Sequence, residues 1–248
     1  MITGIDVTFN FWTDTPEDQD PDARSPTLRR YHELLWSKPL PSGANFELSA
    51  TTPGAYLHHR SDLGEFVLTS DTANSSYYQV ARLSHIRSQV SAAALKHYTK
   101  IMYSIGNMIV FPGRRRERKN TINQERGCNR KIGDRFDLTL ECIRRNYLYP
   151  KQESPLADAL ARYRDFFDLF HDFEGYVDFF LLNDLVSDDY STVTFFLSFT
   201  DFNGRSPYPE TADDFRKFVR KATEFIEMRN QRILEYANAR GHIQGSCR

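Results

Sequence analysis

NTINQERGCNRKIGDRFDLTLECIRRNY, residues 120–147, decides how this chain is read. In its second half Phe136, Leu140, Ile143 and Tyr147 fall at i, i+4, i+7 and i+11, with Leu138 and Cys142 widening the stripe. Side chains so spaced share one face of an α-helix. Asp134 and Asp137 stand in the first turn and Arg144 and Arg145 in the last, the arrangement that the helix dipole favours. The first half is polar and aperiodic. It belongs to a loop, 113–132, of about twenty residues, and a loop that long inside a compact domain is usually functional or disordered. A loop–helix junction is therefore predicted, with the helix opening at Asp134.

Moving outward, Met108-Ile109-Val110-Phe111 lacks polar alternation and predicts a central strand buried on both faces. It sits in a longer strand, 101–112, kinked at Gly106-Asn107. Residues 77–100 read as a helix bent near Ser91. Residues 55–59 and 65–70 read as a hairpin around Ser61-Asp62-Leu63-Gly64. Phe46-Glu47-Leu48 is a short strand, and Thr52-Pro53-Gly54 a turn. Ser25-Pro26 opens a helix, with Ser as cap and Pro in the first position, ending near Lys38-Pro39. Val7, Phe9 and Phe11 alternate as a strand would.

Downstream, Ser154-Pro155 repeats the capping device ahead of Leu156, Leu160, Tyr163, Phe167 and Phe170. Glu174-Gly175 reads as a break, 176–185 as a buried helix, and 192–199 as a strand by its β-branched and aromatic content. Thr211, with Asp214 three residues on, caps a long helix that frays near Arg240. The whole predicts a single α+β domain over 1–240, a mixed sheet with a mainly helical C-terminal half, and a disordered tail over 241–248.

The 248-residue chain is long enough for a sizeable core. Its 19 Phe and 13 Tyr predict an aromatic-rich core or, alternatively, a base-stacking surface. A net charge of -1 gives no global attraction to nucleic acid or membrane, although 14–22 is acidic and 114–119 basic. Cys128, Cys142 and Cys247 form no disulfide framework, which points to a reducing cytoplasm. No apolar run approaches the length of a membrane span.

Phosphate-loop, dinucleotide, zinc-protease and nucleophile-elbow motifs are absent. His58-His59 on a strand point to opposite faces and cannot share a metal. The loop–helix junction remains: nine Arg or Lys against three acids between Arg114 and Arg135. There Arg126, Arg130 and Arg135 are candidates to hold phosphate, Asn123 and Asn129 to orient a base or ribose, and Gly127 to let the backbone approach. Asp134 or Asp137 is the candidate acid/base, with Glu65 a further carboxylate. A solvated basic loop, with Arg130 and Arg135 paired to local acids, is the alternative. Trp36 and Lys38 offer either a stacking ring beside a cation or simple packing under the Pro39–Pro41 turn.

The phrases LWSKPLPSG (35–43), YSIGNMIVFPG (103–113), TINQERGCNRKIGDRFDLTLECIRRNY (121–147) and GYVDFFLLNDLV (175–186) are specific. By them the chain resembles a bacterial and phage-borne family known as a domain of unknown function, from about residue 7 to about residue 233. The resemblance implies one intact domain in a bacterial or phage cytoplasm and carries over no activity, cofactor or catalytic residue. Three readings follow. The first is an enzyme acting on a nucleotide or RNA, of toxin or phage-defence type, with ADP-ribosyl transfer from NAD as one version. The second is a binding module for nucleic acid or a partner. The third is an assembly protein, a homo-oligomer joined through the aromatic helices.

Overall fold

A computed structural model describes residues 4–50, 57–77, 80–149 and 152–245, with side chains through residue 240. The predicted turn at Thr52-Pro53-Gly54, the start of the first hairpin strand, and Cys247 lie outside them. The elements run α1 (Pro21–Arg24), α2 (Pro26–Trp36), β1 (Lys38–Pro39), β2 (Asn45–Phe46), β3 (Leu57–Ser61), β4 (Gly64–Thr72), α3 (Ser84–Arg87), α4 (Ala92–Ile101) and β5 (Met108–Pro112). There follow α5 (Ile122–Cys128), α6 (Phe136–Leu148), α7 (Ala157–Arg162), α8 (Arg164–Asp168), α9 (Phe173–Phe179) and α10 (Ala212–Gly245). The class is α+β, and both sheets are antiparallel: β1-β2, and β3-β4-β5.

The hairpin is as expected, with Leu57 opposite Leu68 and Ser61 opposite Gly64. β5 is buried at every residue but is an edge strand; β4 is the middle one. Among the described residues no further strand pairs with its other edge. Ser25 caps α2, accepting from the Leu28 amide at 3.1 Å, with Pro26 in the first turn. Thr211 accepts from the Asp214 amide at 3.0 Å, and α10 continues to Gly245, five residues past the expected fraying point.

α6 goes further than its stripe. Every residue from Phe136 to Ile143 is buried, polar ones included. Each polar group has a partner, as burial requires. Asp137 is bound by Arg135, Thr139 Oγ1 donates to the Arg135 carbonyl at 3.0 Å, and Glu141 accepts from Arg144 and Arg145. Most of the aromatic residues make the core. Phe166, Phe170, Tyr176, Phe179 and Phe180 pack with Trp36, ring centroids about 5–6.5 Å apart. One chain covers these rings itself, which removes the reason for inferring an oligomer from them.

Several expected elements are different. Val7 to Trp12 forms no strand; a 3-10 turn spans Phe11–Asp14, with Asn10 accepting from the Trp12 amide. The strand expected over 101–112 is the end of α4, a 3-10 turn at Ile105–Asn107, and β5. Residues 192–199 make only an isolated bridge, Val186 to Val193. The break expected at Glu174-Gly175 lies one turn earlier, where Asp172 caps α9. The helix expected to open at Ser154-Pro155 starts at Ala157 and is interrupted at Tyr163.

α10 packs against the 3-10 turn at Gly106, whose amide donates to Asn230 Oδ1 at 2.8 Å. A Cβ on Gly106 would stand 2.5 Å from the Ile226 carbonyl oxygen. Buried Arg229 beside it donates to the carbonyls of Gly106, Met108 and Phe180, tying α10 to β5 and α9. Gly106→Ala is expected to force these elements apart and to destabilise by about 1–3 kcal/mol, as overpacking does. Thermal melting of the variant beside the parent measures it.

Candidate functional site: an acidic cleft

The expected loop over 113–132 contains α5, closed by a capping box. Thr121 Oγ1 accepts from the Gln124 amide, and Gln124 Oε1 from the Thr121 amide. This helix reorganises the predicted site. Arg126 points inward, fully buried, and donates to the carbonyls of Thr72 (3.0 Å) and Ala73 (2.6 Å). Arg135 is likewise buried, donating to Asp137, Pro207 and Leu197. Neither guanidinium is open to a phosphate. Asn123 donates to Thr69 Oγ1 and Asn129 to the Pro155 carbonyl. Arg130 is exposed. In the basic run, Arg116 forks onto Asp165 and Arg115 donates to Gln124.

Asp137 is sealed in the core and also accepts from the Phe196 amide at 2.9 Å, so it is a structural anion rather than an exposed acid. Glu65 is exposed on β4 and paired with His58 at 3.2 Å, outside the cleft described below. Trp36 is buried among other rings and offers no face to a base, and Lys38 lies under the same cluster.

What the fold does bring together is acids. A cavity of about 950 Å³ opens between α1, the end of β4, α4 and the Gly133-Asp134 turn. Asp20, Asp22, Asp71 and Asp134 line it, with Trp12, Tyr77, Tyr103 and Tyr208 as aromatic walls and Gly127 at one side. Arg126 lies beneath. Its Nη1 is 3.5 Å from Asp71 Oδ2 and its Nη2 3.3 Å from Asp134 Oδ1. One buried cation thus serves two carboxylates.

Burial sets the chemistry of these acids. It raises Asp71 to about 6, with Arg126 opposing and Asp134 adding repulsion. It raises Asp22 well above the usual carboxylate range, reinforced by Asp71 and Asp20. It raises Asp134 too, against Arg126 and a hydrogen bond from Ser75. The cleft therefore gathers carboxyls that hold their protons to higher pH than an ordinary aspartate does, Asp22 most strongly.

A buried chain supports Asp22. Trp36 Nε1 donates to His32 Nδ1 at 2.9 Å, so neutral His32 carries its proton on Nε2. His32 Nε2 then donates to Ser70 Oγ at 2.9 Å, and Ser70 faces Asp22 Oδ1 at 3.5 Å. Burial, aided by Arg229, holds His32 down at about 3, so this orientation persists across the working range.

Three cleft residues, Asp18, Tyr77 and Asp134, have φ of 59°, 56° and 56°. For a residue as bulky as tyrosine such a conformation is strained, and strain of this sort gathers at sites. Tyr77 is held there by its hydroxyl, which donates to the Gly133 carbonyl at 2.9 Å. No group of three His, Cys, Asp or Glu side chains among the described residues is arranged to hold a metal ion.

The sequence profile of a family of unknown function (DUF6994) matches residues 5–233. The chain belongs to this family. No curated protein and no solved structure matches it. The DUF6994 match spans every residue of the cleft, from Trp12 to Tyr208. Among the described residues, no helix of this DUF6994 chain is long and apolar enough to cross a membrane.

Asp134, Arg126 and Gly127 are the residues of the sequence-predicted site that meet at the cleft. Asp20, Asp22, Asp71, Trp12, Tyr77 and Tyr103 were not singled out. Asp20 and Asp22 lie in the acidic run at 14–22, and no motif of the sequence pointed to the other four as site residues.

Proposed function

We propose that this chain is a nucleotide-directed enzyme whose chemistry is acid–base cleavage or transfer at a glycosidic bond. The observation that carries the reading is the convergence of Asp22, Asp71 and Asp134 in one aromatic-walled cleft, two of them bound to a single buried arginine. Glycosidic chemistry needs a proton donor for the leaving group and an anion facing the sugar as positive charge develops. Asp22, raised most by burial, supplies the proton. Asp71, ionised above about pH 6, faces the sugar or activates the incoming nucleophile. Asp134, paired with Arg126, stands beside them as a third carboxyl.

The acidic walls disfavour burying phosphate and favour a neutral or cationic base stacked on the rings. The positively charged nicotinamide of NAD meets that description, with its diphosphate lying outward toward solvent. The test is incubation with NAD, nucleosides and nucleotides, with freed base read by chromatography. Release by the parent and a loss of at least about 100-fold in Asp22→Asn are expected, the range for removing a general acid.

A second reading is a binding site for a cationic side chain of a partner. Arg82 favours it, since its guanidinium already lies 3.8 Å from the centroid of the Tyr208 ring at the cleft. Saturable binding of an arginine-bearing peptide, with no base freed from any glycoside, would select this reading over the first.

A further inference from the structure

Lysine is almost never buried without a partner, because an ammonium taken out of water needs an anion or acceptors. Lys38 is the exception in this fold. It is buried at the start of β1, and its Nζ lies 4.6 Å from the ring centroids of Phe179 and Tyr236 and 5.3 Å from that of Trp36. Among the described residues no carboxylate pairs with it and no acceptor is within hydrogen-bond distance. Asp178, the nearest acid in influence, is taken by Asn183 (2.5 Å) and the Tyr190 hydroxyl (2.9 Å). Arg240, donating to the Leu34 and Ser37 carbonyls, and Arg229 add positive charge nearby.

The lysine is nevertheless not sealed. It forms part of the wall of a cavity of about 620 Å³, separate from the acidic cleft, with Pro39 and Pro41 on one side and Asp172, Glu174 and Asp178 around it. An amine in an aromatic box, beside other cations and open to a cavity, is the environment that makes a lysine nucleophilic. We propose that Lys38 is a carbonyl-binding lysine, its Nζ condensing with an uncharged aldehyde or ketone admitted through this cavity. The amine lone pair attacks the carbonyl carbon to give a carbinolamine, which loses water as the C=N bond forms. The nitrogen gives up its protons to the departing water by way of solvent. No oxidant or cofactor is required. The acids around the cavity discriminate against anionic carbonyl compounds, so the substrate class is neutral.

The ionisation agrees with this geometry. Burial, then Arg240 and Arg229, lowers the Lys38 ammonium to about 7, so about half is free amine at neutral pH, whereas an ordinary lysine at about 10.4 is almost wholly charged.

The experiment is reductive trapping of the intact protein with benzaldehyde and cyanoborohydride at pH 7, each lysine followed by peptide mass spectrometry. A parallel sample is labelled in urea. In the folded protein Lys38 is expected to be modified at least tenfold faster than the other lysines. In urea the advantage should vanish. Replacing benzaldehyde with its 4-carboxylate should slow Lys38 while leaving the other lysines unchanged. Modification of Lys38 at or below the rate of the surface lysines in the folded protein overturns the proposal, and Lys38 is then a structural cation of the aromatic box. Neither result depends on the acidic cleft.

Discussion

Asp137→Ala is expected to lower the stability of the fold by about 3–5 kcal/mol, the range for breaking a buried ion pair by removing one partner. For a chain of this length that is a fall of roughly 6–20 °C in Tm. The magnitude follows from what would be abandoned. Arg135 and Asp137 are both buried and joined by two hydrogen bonds, so the alanine leaves a guanidinium without its counter-charge in the core. It also strands the Phe196 amide, which donates to Asp137 Oδ2, and loosens Arg135 from the Pro207 and Leu197 carbonyls. These bonds fasten the strandless segment around 193–207 to the start of α6. Thermal and urea unfolding measure the loss. An Asp137→Ala protein that keeps its stability and loses only turnover would return Asp137 to the role of catalytic acid.

Asp71→Asn should do the opposite to stability and more to function. A carboxyl held at about 6 in the folded chain and near 3.9 in the unfolded one binds its proton more tightly when folded. Its contribution is therefore full below about pH 4, is lost as pH rises through about 6, and leaves a penalty above that. The side chain keeps 37% of its surface open to the cleft, so solvent trims the penalty to about 1–2 kcal/mol. The amide removes it, and Asp71→Asn should be more stable than the parent at pH 7 by that amount, with a flatter stability profile between pH 4 and 6. On the proposed glycosidic chemistry, base release should meanwhile fall by about 10²–10⁴, the usual share of a general acid or base. A gain in stability that accompanies a loss of function marks a group kept for chemistry rather than for the fold. Melting curves across this pH range, beside turnover at pH 7, read both arms. A variant that loses stability at pH 7 would make Asp71 a structural residue.

What the sequence disclosed was local. Ser25 ahead of Pro26, the Ser61–Gly64 turn, and the stripe of α6 are each written within a few residues, and each forms as read. The capping box Thr121-x-x-Gln124 was equally local, but a polar surrounding hid it, and a helix was taken for a loop. That single difference turned Arg126 from a phosphate ligand into a buried counter-ion. Residues 192–199 show the converse. Their β-branched and aromatic content fits a pleated surface, yet among the described residues they pair only through the Val186–Val193 bridge, and Asp137 binds the segment instead.

The cleft was out of reach for a different reason. Asp22 comes from a four-residue helix, Asp71 from the end of β4, and Asp134 from a left-handed turn before α6. Over a hundred residues separate the first from the last, and no spacing rule relates them. A count of charges around 114–135 pointed to an anion site, because sequence cannot show which guanidiniums face inward. Arg126 and Arg135 do: Arg126 serves two acids of the cleft, Asp71 and Asp134, and Arg135 serves Asp137 in the core.

The most direct measurement is the pH dependence of base release from NAD by the parent protein beside Asp71→Asn. The proposal predicts activity that rises through about pH 6 as Asp71 ionises, with Asp71→Asn folded and slower by about 10²–10⁴ throughout. A pH-independent release, or a folded Asp71→Asn protein as active as the parent, would contradict it and remove the chemistry from the acidic cleft.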